Sequence, residues 1–171
     1  MGAITFDQDF KHVLGPLVGI AIQCIFTAFV AGGARKKAFS EEFLRKNFGE
    51  QHKKATGEDF PKGGYPDNGT GLYASKLDYA TWWKFNNRQR AHYNFLEQVA
   101  SIAVMLIVGG LAYPCASAVL GWIYFVGRII YTFGYVAKGP KGRVVGALIL
   151  DVGLLGLLGV SVMSVVNLYR N

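Results

Sequence analysis

Four stretches of the chain stay apolar for longer than the core helix of a soluble domain does. Val13 to Ala34 holds Gln23 as its one strongly polar side chain and stops at Arg35-Lys36-Lys37. Ala91 to Ala112 is polar at its start and apolar after Gln98, while Pro114 to Ala137 carries Arg128 as its single charge and Val144 to Tyr169 carries Asp151. A hydrocarbon core about 30 Å thick is crossed by about 20 helical residues, so each stretch predicts one transmembrane helix. The second and third meet at Tyr113-Pro114-Cys115, which leaves room only for a tight hairpin. The pattern predicts an all-α integral membrane protein, a single unit built as a four-transmembrane-helix bundle.

Charge is sorted between the apolar runs. Residues 35–90 carry 12 Lys+Arg against 7 Asp+Glu, and the short connection from Lys138 to Arg143 adds three cations and no acid. The opposite side offers only Asp7, Asp9, Lys11 and Arg170. Cytosolic loops are enriched in Lys and Arg, so both basic loops are expected in the cytosol and both termini across the bilayer. The net charge of +7 therefore reports topology, and a nucleic-acid partner is not expected. Within the long basic loop, Ser40-Glu41-Glu42 starts a capped short helix that ends near Gly57. Pro61, Gly63-Gly64, Pro66 and Asp67-Asn68-Gly69 then mark irregular turns. Trp82-Trp83 fall just before the second span, where interfacial aromatics gather.

The remaining composition excludes more than it assigns. Apolar residues make up 51% of the chain, with 22 glycines and a positive mean hydropathy. The two cysteines, Cys24 and Cys115, lie far apart beside or inside apolar runs, so they predict buried thiols, with no disulfide framework and no metal site. The first twelve residues, with Asp7 and Asp9, lack the basic start of a cleavable leader. Gly2 is followed by Phe6 where a myristoylation signal needs Ser or Thr. Gly15 with Gly19, and Gly153, Gly156 and Gly159, are spaced for close helix contact, within the bundle or between copies.

The informative residues are the polar ones inside the spans. Ionisable groups at that depth face a bundle interior or a water-filled cavity. Arg90, Asn94 and Glu97 share one face of the second span, whereas His92 is turned roughly 200° from Arg90. Tyr124, Arg128, Tyr131 and Tyr135 form a stripe on the third. At about 1.5 Å per residue, Glu97, Arg128 and Asp151 reach similar depths. Arg128 could then neutralise Glu97 or Asp151 as a structural ion pair. Alternatively, Arg35, Arg90, Arg128 and Arg143 ring a pocket for a small, multiply charged anion.

Arg90-Ala91-His92-Tyr93-Asn94-Phe95-Leu96-Glu97, preceded by Phe85-Asn86 and Gln89, resembles the second-helix signature of type 3 microsomal glutathione transferases. These belong to the membrane-associated proteins in eicosanoid and glutathione metabolism. Ala34 to Lys37 is similar to that family's first-helix end, and Gly109-Gly110 through Tyr113-Pro114 to its hairpin. Gly127-Arg128, Tyr131, Gly134-Tyr135, Gly139-Pro140, Arg143 and Gly146-Ala147-Leu148 are similar to its third helix and last loop. The resemblance covers about three quarters of the chain by those motifs. The first loop is longer than is usual in the family, Val145 stands where a second arginine is common, and Gln98-Val99-Ala100 replaces aromatic and proline residues.

The resemblance implies a homotrimer that binds glutathione as a substrate, in a U-shape between neighbouring subunits. Arg90, Asn94, Glu97, Tyr131 and Tyr135 would hold it from one subunit, with Arg128 beside them, and Arg35 and His92 would reach in from the next. Glu97 would accept the ammonium group, and arginines would pair with the carboxylates. Arg143 matches the arginine that stabilises the thiolate. A thiol of pKa near 8.5 is mostly protonated at neutral pH, and lowering that value by about two units takes roughly 3 kcal/mol of anion stabilisation. The thiolate would attack a hydrophobic electrophile from the lipid or reduce a lipid hydroperoxide, in the endoplasmic reticulum or a mitochondrial membrane. Two other readings remain: a non-catalytic subunit or scaffold of a larger membrane complex, and a small transporter or channel lined by Arg128 and Asp151.

Overall fold

A computed structural model describes residues 8–62 and 67–170. Asp7, Gly2, Phe6, Gly63-Gly64 and Pro66 lie outside the described residues. Five α-helices run in order: α1 Lys11–Ala38, α2 Glu41–Thr56, α3 Tyr79–Ala112, α4 Pro114–Lys138 and α5 Val144–Arg170. Single 3-10 turns precede α1 at Gln8–Phe10, precede α3 at Ala74–Lys76, and join α4 to α5 at Gly139–Lys141. α1, α3, α4 and α5 are long and apolar enough to cross a membrane. Many of their outward side chains are large and apolar, including Ile22, Phe29, Val104, Phe133, Leu148 and Leu155, as lipid-facing positions require.

Two helices extend further than the hydropathy pattern indicates. α1 continues through Arg35-Lys36-Lys37, because cations in a last turn meet the negative end of the helix dipole, and the Phe39 N–H closes the turn on the Arg35 carbonyl at 2.9 Å. α3 starts at Tyr79 instead of Ala91, so Trp82 and Trp83 lie inside it. Asp78 caps it, accepting from the Thr81 N–H at 2.9 Å, an interaction that satisfies an orphan amide. The short helix α2 has the ends its sequence predicts: Ser40 Oγ accepts from the Phe43 N–H, and Gly57 closes it at φ 79°. That left-handed angle suits glycine, which has no Cβ to clash.

The early turns of α3 are fixed by aromatics from distant parts of the chain. Phe39, Phe48, Phe60 and Phe85 are buried in one cluster with Leu44, and Phe39 meets Phe85 edge-on with centroids 5.4 Å apart. The Asp67 carboxylate gathers the loop beneath, accepting from the N–H groups of Gly69 (2.7 Å), Gly71 (3.0 Å) and Ala74 (2.7 Å). Trp82 Nε1 and Asn86 Nδ2 both donate to the Gly69 carbonyl, at 2.8 and 3.0 Å. At the other end, Tyr113 alone separates α3 from α4, and Pro114 opens α4. Proline suits that first helical position, where its missing N–H costs nothing.

The bundle core holds Val13, Ile20, Phe95, Ile102, Leu106, Leu150 and Leu157. α4 and α5 approach most closely, through glycines. A Cβ on Gly134 would meet the Gly142 carbonyl, and one on Gly127 or Gly146 would meet the backbone of the opposite helix. Gly15 and Gly19 pack on Trp122 and Phe125 of the same chain, so this pair is filled within the bundle. Cys24 is half-buried. Cys115 is exposed, contrary to expectation, because the one-residue hairpin places it at the start of α4 with Sγ 3.7 Å from Asp9 Oδ2.

Candidate functional site

At the basic end of the bundle, side chains from α3, α4 and the turn before α5 join in one chain of hydrogen bonds. Arg143 Nη1 donates to the Tyr131 hydroxyl at 3.2 Å. Tyr131 donates to Asn94 Oδ1 at 3.0 Å. Asn94 Nδ2 donates to Glu97 Oε2 at 3.3 Å. The order is guanidinium, phenol, amide and carboxylate, with cation and anion at opposite ends and two neutral groups between.

Local structure explains how the members meet. Asn94 and Glu97 are one turn apart on α3, and Tyr131 and Tyr135 one turn apart on α4, so each pair shares a face. Arg143 is brought to α4 by the tight turn after it. Gly139 has φ 67°, and a Cβ there would lie 2.8 Å from Trp83 Cζ2. The early turns of α3 thus press on the connection that carries Arg143. The Arg143 guanidinium carbon sits 5.3 Å from the Tyr135 ring centroid and 5.9 Å from that of Tyr131. The Tyr131 hydroxyl holds the Arg143 guanidinium above its ordinary pKa, outweighing the opposing effect of burial. Arg143 is therefore a permanent cation that remains partly open to solvent.

Arg128 is enclosed instead of lining an open ring. It is 1% exposed and stacks over Phe95 at 4.4 Å and Tyr131 at 4.7 Å. Nη2 donates to the Ala91 carbonyl at 3.5 Å, and Nε has no hydrogen-bond partner among the described residues. No ion pair joins it to Glu97 or Asp151 among the described residues. Both carboxylates are exposed: Glu97 turns to Asn94, and Asp151 lies on the outer face of α5. Equal height along neighbouring helices does not bring side chains together when their azimuths differ. The charged layer expected from depth alone does not form within the chain.

The other site residues face elsewhere. His92 points to α1, where its Nδ1 lies 3.0 Å from Thr27 Oγ1. Arg35 donates to Gln89 Oε1 at 3.1 Å. Arg90 is exposed at the side of α3. One face of α3 thus engages α4 through Asn94, and another engages α1 through His92 and Gln89, the split that a 3.6-residue period predicts. Three polar contacts were not expected from the sequence: those of Thr27, of Gln89, which entered there only as part of the second-helix motif, and of Gln98, whose Oε1 accepts from Tyr124 at 3.1 Å. Gln89 could have been found three residues before His92, on the same face. Among the described residues no group of His, Cys, Asp or Glu could hold a metal.

Four long apolar helices, one of them carrying a buried tyrosine and arginine stripe, define a polytopic helical membrane protein with a polar layer near one end. The chain belongs to the MAPEG family, whose family model matches residues 13–163. Membership makes it an integral membrane protein and points to the membrane glutathione-transferase and eicosanoid-type functions of that group.

Proposed function

We propose that the protein is a membrane glutathione transferase or glutathione-dependent peroxidase of the type 3 microsomal kind. It would work as a homotrimer in the endoplasmic reticulum membrane on hydrophobic electrophiles or lipid hydroperoxides. The observation that carries this reading is the Arg143–Tyr131–Asn94–Glu97 chain. It offers a fixed cation to a thiolate at one end and a carboxylate to an ammonium group at the other. Arg90, exposed on α3, would hold the tripeptide from the same subunit as the chain, while Arg35, bonded to Gln89 of α3, and His92, turned to Thr27 of α1, would reach in from the neighbouring subunit. Arg128 positions Tyr131 from beneath and does not touch the tripeptide.

Glutathione loses its thiol proton to solvent as it binds, and Arg143 stabilises the resulting anion without surrendering its own proton. In transfer, the thiolate sulfur bonds to the electrophilic carbon and the leaving group departs, or the adduct takes up a proton. In peroxide reduction, two glutathiones and one hydroperoxide yield the disulfide, an alcohol and water. The test is ultraviolet absorbance at the thiolate band when glutathione is added to detergent-purified protein at pH 7. A saturable thiolate signal is expected, absent in Arg143→Ala while glutathione binding weakens only modestly. An absent signal at saturating glutathione, or full turnover in Arg143→Ala, refutes the assignment.

One observation favours a second reading, a non-catalytic subunit of a larger membrane complex. Asp151 is exposed on α5 among exposed Leu148, Val152 and Leu155, and a carboxylate facing lipid at that depth costs several kcal/mol (roughly 2.5–3.5 on insertion scales). A neighbouring protein would relieve that cost. Mass measurement after mild extraction separates the two: stoichiometric foreign subunits favour the scaffold, an isolated trimer the enzyme.

A further inference from the structure

One cavity lies apart from the hydrogen-bonded chain. It is a groove of about 530 Å³ between the last turns of α1 and the first turns of α3. One part is apolar, with Phe29, Val30 and Gly33 of α1. The other part holds three cations, Lys37 of α1 with Lys84 and Arg88 of α3, and no carboxylate lines it among the described residues. Arg88 is steadied by its own helix, donating through Nη1 to the Lys84 carbonyl at 2.8 Å.

We propose that this groove binds an acidic phospholipid of the adjoining leaflet. The polarity of its walls matches that molecule from end to end. The cations lie at the basic end of the bundle, where the helices leave the apolar layer. Phe29 is eight residues before Lys37 on a continuous helix, so it lies about 12 Å deeper. A phosphate at Lys37, Lys84 and Arg88 would send an acyl chain down past Gly33 to Phe29, a residue 74% exposed. Gly33 leaves the trough open, since a Cβ there would meet nothing within 4 Å. Charge selects the lipid class: a zwitterionic head offers no net charge to three cations that no carboxylate accompanies in the groove among the described residues. Basic loops also follow from topology, but topology alone does not gather cations from two helices around one apolar-walled groove.

The site is independent of Arg143 and of the proposed chemistry, so either can fail without the other. The full-length protein is purified in mild detergent and offered phosphatidylglycerol or phosphatidylcholine with the same acyl chains, and retained lipid is read by native mass spectrometry. Phosphatidylglycerol is expected to be retained in preference. Each cation near an acidic surface contributes roughly fivefold, so Lys37→Gln with Lys84→Gln and Arg88→Gln lowers that retention at least about tenfold. Gly33→Leu is the second variant: it leaves every charge in place, fills the trough and suits a helix better than glycine, and it too should lose the lipid. Equal retention of both lipids overturns the proposal. So does undiminished phosphatidylglycerol binding in the Gly33→Leu protein, which keeps the test open if the triple variant does not fold. Displacement of the lipid by millimolar glutathione also overturns it, by assigning the groove to the tripeptide.

Discussion

Replacing Gly146 by alanine tests the packing on which the candidate site stands. Gly146 of α5 lies against the Tyr131 backbone of α4, so an added methyl would overlap Tyr131 N and Cα and reach 2.8 Å from the Ile130 carbonyl carbon. These are backbone atoms that cannot rotate away, and relief requires the two helices to separate. Overpacking of this kind costs about 1–3 kcal/mol, and more when backbone must move. The same helix supplies a control, because a methyl on Gly159 meets nothing within 4 Å. There the substitution gains the helix propensity of alanine over glycine, about 1 kcal/mol. That gain is common to both positions and cancels, so the two identical changes should differ by the overpacking cost alone, about 1–3 kcal/mol. Unfolding in mild detergent, by heat or by titration with a denaturing detergent, reads the difference. Gly146→Ala should also weaken the thiolate signal, because it displaces the residue that holds Arg143. If Gly146→Ala proved as stable as Gly159→Ala, the close approach of α4 and α5 would be refuted.

Tyr131→Phe removes the hydroxyl that receives Arg143 and engages Asn94. A hydrogen bond to a charged group is worth about 1.5–3 kcal/mol, so the bound thiol should titrate about one to two units higher, and an unchanged thiolate titration counts against Tyr131 as a positioning residue. Burial alone would push the Asp67 carboxyl up, but the N–H groups of Ala74, Gly69, Gly71 and Thr70 outweigh it and hold the carboxyl below its ordinary value. Its stabilisation is therefore complete above the unfolded pKa of about 3.9 and is lost as pH falls through the lower folded value. Protection of the Gly69, Gly71 and Ala74 amides, relative to their intrinsic exchange at each pH, should fall in that acid range in the wild type. In Asp67→Asn it should already be low at pH 7, and wild-type protection in that variant would contradict the role. Arg128→Met keeps the volume of a buried cation that has no carboxylate partner among the described residues. Because burying a charge is costly, stability should stay within about 1 kcal/mol or rise, and a loss of several kcal/mol in detergent unfolding would show that the contacts to Phe95, Tyr131 and Ala91 dominate.

The elements most legible in the sequence were those with one-dimensional causes. Hydropathy alone finds α4 and α5, because lipid imposes the same demand on every turn. Ser40 and Gly57 mark the ends of α2 through local capping chemistry. The first three turns of α3 were hidden because they carry Lys84, Arg88 and Arg90 outside any apolar run, and what holds them is Phe39 from the connection between α1 and α2 and Gly69 from a loop. Helical period correctly separated Asn94 from His92, but height along an axis could not say which way Arg128 or Asp151 would turn across helices. The closest contacts do not show as a spacing within one helix: Gly134 of α4 meets Gly142 in the turn before α5, and Gly146 of α5 meets Tyr131 of α4.

The placement of the connections makes α4 a strut fastened at both ends. A single residue ties it to α3 at one side of the bundle, and a five-residue turn ties it to α5 at the other. Its tyrosines are therefore the stationary reference of the molecule. α1 has no such ties, being joined to the rest through α2 and the long segment before α3. Any breathing that admits a bulky lipophilic guest should swing α1 as a lever and carry Arg35 with it, while Tyr131 and Arg143 hold still.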